Sequence, residues 1–348
     1  MRVDFNVATV LDAGIPIDLN DRRFLHTALA DPAGVPRCGR AAEYAFLRQA
    51  GYRDLALGRL YEGHVNALQL IAHHGTAAQR AQTERDIEAG RLFGVWNTQA
   101  SDGVRMTAHD DASVLLSGRK TFCSGAGTVL RALITAADAA GAPQLILVPM
   151  DETAAAIDPS FWQPMGMQSS DSFAVDFSGV RVAATALIGA PGAYQAAPWF
   201  TGGASRFVAV QTGGIERLCD EFAAFLRRRG MSGDTLQLAR LGDVAVAAAS
   251  AGLWSTACVN AWEAFDRDGS AQTQAALLAT VDAARAAVEA AALAVCERIE
   301  RGAGARGLLE PEPFGALICD LRMYLRQPAP DAALLRVAQA ALERTRAI

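Results

Sequence analysis

The residues of this chain with the widest chemical repertoire are its histidines, cysteines and carboxylates, and their spacing narrows what they can do. His73 and His74 are adjacent, and paired imidazoles invite a metal. Neighbouring side chains on a helix face different ways, however, and no carboxylate stands at ligand spacing. The pair reads as residues at a helix end, and no metal site is expected. The cysteines, Cys38, Cys123, Cys219, Cys258, Cys296 and Cys319, lie apart without a CxxC pair, so neither zinc nor disulfide-exchange chemistry is indicated. Those in helical or strand patterns read as buried thiols of a reducing compartment. Asp331 follows Pro330 and precedes Ala332-Ala333-Leu334-Leu335, the setting of a helix N-cap. Glu310 and Glu312 alternate with Pro311 and Pro313 and read as solvated loop charges.

Composition bounds the classes that remain. The chain has 348 residues, 51% hydrophobic and 20% charged, with a net charge of −5 and a pI near 5.6. No basic field draws it to nucleic acid or to an anionic membrane. The run Arg227-Arg228-Arg229 reads as charge completing a helix dipole. Met1 to Asn6 has no apolar core of a signal peptide, and the Ala-rich run from Val244 to Gly252 is too short to span a bilayer. A soluble, cytoplasmic protein is expected.

The elements that must position any chemistry fall into three blocks, giving an α+β fold. Residues 1–91 read as a helical domain, with helical spacing from Asp21 to Leu29, breaks at Pro32, Gly34 and Pro36, and Thr76 placed to cap a following helix. Residues 92–190 read as a small β domain. Polar and apolar residues alternate through 104–109, 120–124 and 172–177, and Gly179 turns the chain into 180–182. Buried strands are expected over 130–136 and 144–149. Residues 191–348 return to helix, with breaks at 230–234, 266–270 and 302–307, as in an up-down four-helix bundle.

Helical block, β block and helical bundle in that order, together with local sequence, resemble the acyl-CoA dehydrogenase superfamily. The similarity is carried by Ile71-Ala72-His73-His74-Gly75-Thr76, by Leu116-Ser117-Gly118-Arg119-Lys120-Thr121-Phe122-Cys123-Ser124-Gly125, and by Met165 to Ser172 with Val180-Arg181-Val182 and Leu187-Ile188-Gly189. The resemblance implies a central β lobe that is barrel-like, FAD held between that lobe and the bundle, and a homodimer or homotetramer. It places Trp96, Asn97 and Thr98 along the flavin ring, and Phe122 and Ser124 at its face and N5 edge. Gln237 and Gly304 would meet the FAD tail across a subunit interface. Arg206 and Ser101 would touch a small-molecule acyl substrate, possibly a CoA thioester.

The chain also departs from that pattern. The family's base is a Glu near the C-terminus, and the matching neighbourhood here, Cys319 to Asp331, puts that position near Pro328. The alternative base precedes an Arg on the first bundle helix, and here the pair is Ser205-Arg206. Neither Pro nor a lone Ser takes a proton from a weak carbon acid. Asp331 is the nearest carboxylate in sequence and the candidate for that role. Three readings stay open: a flavin-dependent dehydrogenase of acyl CH–CH bonds with a displaced base, a flavin-dependent monooxygenase of the same fold, and a catalytically silent subunit that binds flavin or an acyl group.

Overall fold

The structure is a computed structural model that describes residues 39–327 and 329–346. The helix expected over 21–29, the breaks after it, Cys38 and Pro328 lie outside the described residues. The chain divides into two compact units: one holds Arg59–Gln163 and Gln168–Phe200, the other Arg40–Gly58, Pro164–Met167 and the chain from Thr201 on. The division therefore does not follow chain order, because the helix over 40–53 groups with the C-terminal helices.

The first unit contains most of α2 (Leu55–His74), α3 (Ala77–Glu88) and the strands. Thr76 and Gln79 close α3 with a reciprocal capping box, and His73 and His74 end α2. The strands are β1 (Phe93–Trp96), β2 (Arg105–Asp110), β3 (Ser113–Ser117), β4 (Arg119–Cys123), β5 (Arg131–Ala137), β6 (Pro143–Pro149), β7 (Ala156–Asp158), β8 (Phe173–Asp176), β9 (Arg181–Ala183) and β10 (Leu187–Ile188). A seven-stranded sheet runs β10-β6-β5-β2-β3-β9 with β1 also on β5, and a three-stranded sheet runs β4-β8-β7. Among the described residues the sheets do not close into the expected barrel-like lobe. The end strands β9 and β10 do not pair with each other, and β4 leaves the large sheet to build the small one.

β5 is buried along nearly its whole length, as an Ile- and Leu-bearing central strand must be. With Leu68 and Ile71 of α2 and with Phe93, Leu145, Ile188 and Tyr194, its Leu133 forms the core. Full burial of each such side chain contributes about 1.5–3 kcal/mol. His64 joins α2 to β1: its Nδ1 accepts the Phe93 N–H at 3.0 Å, and burial pulls its pKa down to about 3. Arg131 at the start of β5 bonds Asp86 of α3 at 3.0 Å. It also pairs with Asp151 and Glu152.

The second unit contains α1 (Arg40–Arg53), α5 (Ser205–Arg228), α6 (Thr235–Asp268), α7 (Ala271–Gly307), α8 (Phe314–Tyr324) and α9 (Pro330–Arg346), with short α4 (Trp199–Gly203) leading in. α5, α6 and α7 pack on one another, α1 packs on α5, and α9 on α7, so these packed helices come from both ends of the described chain. At the α1–α5 crossing the backbones touch. A Cβ on Gly51 would lie 2.1 Å from the Val210 carbonyl oxygen, and one on Gly213 would lie 1.9 Å from that of Arg48.

The Ala-rich run expected to be too short for a membrane lies inside α6, a 34-residue helix that is long and apolar enough to cross one by length and composition. Its buried stripe, Val244, Ala248, Ala251, Ser255, Cys258 and Trp262, has the narrow spacing of a bundle seam. The expected break at 302–307 is present as a kink: Gly304, with φ 60° and ψ −168°, interrupts α7, and helix continues on either side of it.

Candidate active site

In the first unit, β1 delivers Trp96 and then the exposed Asn97 and Thr98 to the edge where β4 ends. Trp96 is 1% exposed, and its indole N–H donates to the Ser124 carbonyl at 3.0 Å. The Thr121 N–H donates to the Thr98 carbonyl at 3.2 Å. β4 shifts register against β8 between Lys120 and Cys123, and Phe122 takes up the shift with φ 55°. That left-handed conformation is strained for a bulky side chain and is held only where its surroundings require it. Its result is that Lys120 and Cys123 point inward while Phe122 is 39% exposed. The Phe122 ring meets Phe161 edge-on at 5.2 Å and Trp162 at 5.9 Å, forming an aromatic cluster. The Ser124 hydroxyl is buried in a row with Ser172 and Ser170, each step 2.8 Å.

The structure thus brings Trp96, Asn97, Thr98, Phe122 and Ser124 to one edge. Ser101 lies in an exposed turn whose neighbour Asp102 pairs with Arg119 at 2.8 Å.

Sequence reasoning did not single out Lys120 as a site residue. It is fully buried, and its ammonium donates to the Asn97 carbonyl at 3.0 Å and to Thr135 Oγ1 at 2.7 Å. The Thr135 hydroxyl in turn donates to Asn97 Oδ1 at 2.8 Å. No carboxylate pairs with Lys120 among the described residues, and burial lowers its pKa to about 7. Strict alternation would put Lys120 and Phe122 on one face; the bulge at Phe122 separates them. The one signal in the sequence was that Lys120 is the only lysine among its 348 residues.

In the second unit, Gln237 and Gly304 come close at the C-terminal end of α7. Asp234 caps α6 by accepting the Gln237 N–H at 2.9 Å. The Gln237 side-chain amide donates to the Gly302 carbonyl at 3.1 Å, while its Oε1 is buried without a hydrogen-bond partner. Gly304 has φ 60°, and a Cβ built there would meet nothing within 4 Å. An unpaired acceptor beside open backbone is a setting for a ligand with N–H or O–H donors.

Arg206, expected to touch substrate, has no exposed surface, and its guanidinium donates to buried Glu43. Glu43 also accepts from Arg40. Pairing offsets the cost of burying a cation, and with no exposed surface Arg206 has no solvent-facing side to offer. The adjacent Ser205 hydroxyl contacts Tyr44 and donates to the Gly202 carbonyl, and it accepts the Trp262 indole N–H at 2.9 Å. Asp331 is exposed and lies in the first turn of α9 rather than at its N-cap, because Pro330 is already the first helical residue. Asp320 of α8 is half-buried; burial pushes its pKa up, and it accepts the Met167 N–H.

No protein-family model matches the chain. A dibenzothiophene monooxygenase of Rhodococcus erythropolis is 27% identical over 158 residues, 42% of this chain and 38% of the relative. One from Rhodococcus qingshengii matches to the same extent. The match therefore spans well under half the length of these curated relatives. Among solved structures, FMN-bound TdsC from Paenibacillus sp. A11-2 superposes with TM-score 0.80 at 20% identity, covering 86% of this chain and 83% of that one. Butyryl-CoA dehydrogenase of Megasphaera elsdenii gives TM-score 0.80 at 16% identity over 92% and 90% of the two chains. Methanesulfinate monooxygenase MsuC of Pseudomonas fluorescens gives 0.79 at 18% over 92% and 89%.

Proposed function

Starting from a chain with the acyl-CoA dehydrogenase fold, we propose that it is a flavin-dependent monooxygenase. The observation that carries this reading is the state of the Ser205-Arg206 pair. Where the fold's dehydrogenase chemistry would use a carboxylate, this chain has a buried hydroxyl with its bonds made and a guanidinium spent on Glu43. Asp331 is on a solvated helix turn. Oxygen transfer requires no carbon-bound proton to be taken, so it suits a site without a free carboxylate. When bound and reduced, the flavin supplies two electrons to O₂, so that one oxygen atom enters the substrate and the other leaves as water.

The side chains fit such a group. Trp96 would fix the turn at Ser124 against the ring, with Asn97 and Thr98 along its polar edge and Phe122 at its face. The unpaired Gln237 Oε1 and the open backbone at Gly304 suit the hydroxyls and amino group of an adenosine, which supports FAD. TdsC is solved with FMN, which lacks that half. The cluster of Phe122, Phe161 and Trp162 suits a planar aromatic substrate. The exposed Leu236, Val246 and Leu253 of α6 support a second copy as partner, in a homodimer or homotetramer, and a cytoplasmic location belongs to the same reading.

One observation favours a second reading, an acyl-CoA dehydrogenase with a displaced base. The carboxyl of Asp320 has a pKa raised by burial, the direction a general base needs. The test is the visible spectrum of purified protein loaded with FAD or FMN. Acyl-CoAs of graded length, added without oxygen, are expected to leave the spectrum unchanged. Externally reduced flavin with O₂ and dibenzothiophene is expected to give oxygenated product. Anaerobic bleaching by an acyl-CoA would move the assignment to the dehydrogenase.

A further inference from the structure

Lys120 is the buried charge at the candidate site that the proposed function leaves without a task. Its ammonium reaches a main-chain carbonyl and a hydroxyl, Asn97 O at 3.0 Å and Thr135 Oγ1 at 2.7 Å. The Thr135 hydroxyl then donates its own hydrogen bond to Asn97 Oδ1 at 2.8 Å. Both acceptor atoms of Asn97 are therefore held from inside, which leaves the Asn97 side-chain N–H donors as the polar group this residue presents outward. The Gln99 bridge to Lys120 and the Thr121-to-Thr98 hydrogen bond run beside these contacts and tie the same segment to β4.

We propose that Lys120 is a positioning residue: through Asn97 and Thr135 it sets the Asn97–Thr98 edge in the orientation that grips the flavin ring, and loss of its proton loosens that grip. The inference rests on the flavin reading above. An ammonium makes charge-assisted hydrogen bonds, and a neutral amine replaces them with weaker ones. The elements packed round Lys120 present Thr135 from β5, Asn97 and Gln99 from the segment after β1, Val175 from β8 and Cys123 from its own strand. Burial pushes the Cys123 thiol up, so it stays neutral through the neutral range. One step along the strand from Lys120, Arg119 stands opposite Asp176 and pairs with Asp102 at 2.8 Å. The Lys120 proton is thus the one in this cluster that comes and goes near neutrality.

The experiment is flavin titration, by quenching of flavin fluorescence, of full-length wild type, Lys120→Met and Thr135→Val from pH 6 to 8.5. Circular dichroism and urea midpoints check that each variant is folded. Wild type is expected to lose flavin affinity about tenfold as pH rises through neutrality, the equivalent of roughly 1.4 kcal/mol. Lys120→Met is expected to bind about tenfold more weakly at pH 6 with a flat profile. Thr135→Val is expected to bind more weakly with its midpoint moved to lower pH, because one acceptor for the ammonium is gone. Equal affinity and an equal pH profile for wild type and Lys120→Met would overturn the proposal. If Lys120→Met does not fold, a Thr135→Val profile superimposable on wild type does so instead. Wild type that binds no flavin would overturn the flavin reading itself, whereas tight binding indifferent to pH and to both substitutions would leave that reading intact and remove only Lys120.

Discussion

The indole N–H of Trp96 reaches the carbonyl oxygen of Ser124 at 3.0 Å, tying the end of β1 to the turn that follows β4. Both ends of the bond are buried, so the turn that starts at Ser124, just past Phe122, cannot shift without stranding a donor and an acceptor. Trp96→Phe keeps an aromatic ring and removes the donor. It is expected to cost about 1–3 kcal/mol, the penalty for a buried group left unsatisfied. Urea denaturation measures that loss, and flavin titration of the same variant should show weaker binding.

Lys120 also links stability to pH. Its folded pKa, about 7, lies below its ordinary value of 10.5. Between those values the unfolded chain binds the proton and the folded chain does not, so this residue makes stability rise with pH across that window. Below about pH 7 both states are protonated and the burial penalty is felt in full. The slope is roughly 1.4 kcal/mol per pH unit at most. Urea midpoints at pH 7, 8 and 9 should climb less steeply in Lys120→Met than in wild type, and Lys120→Met should be the more stable at pH 7.

Glu43 holds Arg206 and Arg40 together in the second unit. Glu43→Ala leaves the enclosed Arg206 without this carboxylate and is expected to cost about 3–5 kcal/mol. Glu43→Gln keeps the shape and some hydrogen bonding, and should cost less. Thermal denaturation of the two variants side by side checks the order.

Gly213 offers a test in which two effects have opposite signs. Replacing a helical glycine by alanine ordinarily gains about 1 kcal/mol. Here the new Cβ would lie 1.9 Å from the Arg48 carbonyl oxygen, which is backbone and cannot turn aside. Overpacking wins, and Gly213→Ala is expected to lower stability by about 1–3 kcal/mol or more. A raised melting temperature would contradict the close crossing of α1 and α5.

Much of this architecture is legible in the residues. Alternation located β2, β8 and β9, and the turn residues around 230–234 and 266–270 bounded α5, α6 and α7. What alternation could not show is the register shift at Phe122, because a left-handed phenylalanine is set by tertiary contacts rather than by pattern; it hid the inward turn of Lys120. The glycine run at 302–307 read as a break, and the chain does leave helical geometry there, at Gly304. The resemblance implied a substrate contact for Arg206, and its partner Glu43 lies on a helix distant in sequence, outside any local window. The grouping of α1 with the C-terminal helices depends on Gly51 meeting Val210 and Gly213 meeting Arg48 across the chain, pairs that no local window contains.

The central claim is oxygen transfer supported by reduced flavin. The most direct measurement supplies the purified protein with flavin, a reducing system, dibenzothiophene and ¹⁸O₂, and reads product mass. The account predicts a product that gains one ¹⁸O atom for each oxygenation, and only when protein is present. A flavin-loaded protein that gives no labelled product, yet is bleached anaerobically by an acyl-CoA, would contradict it.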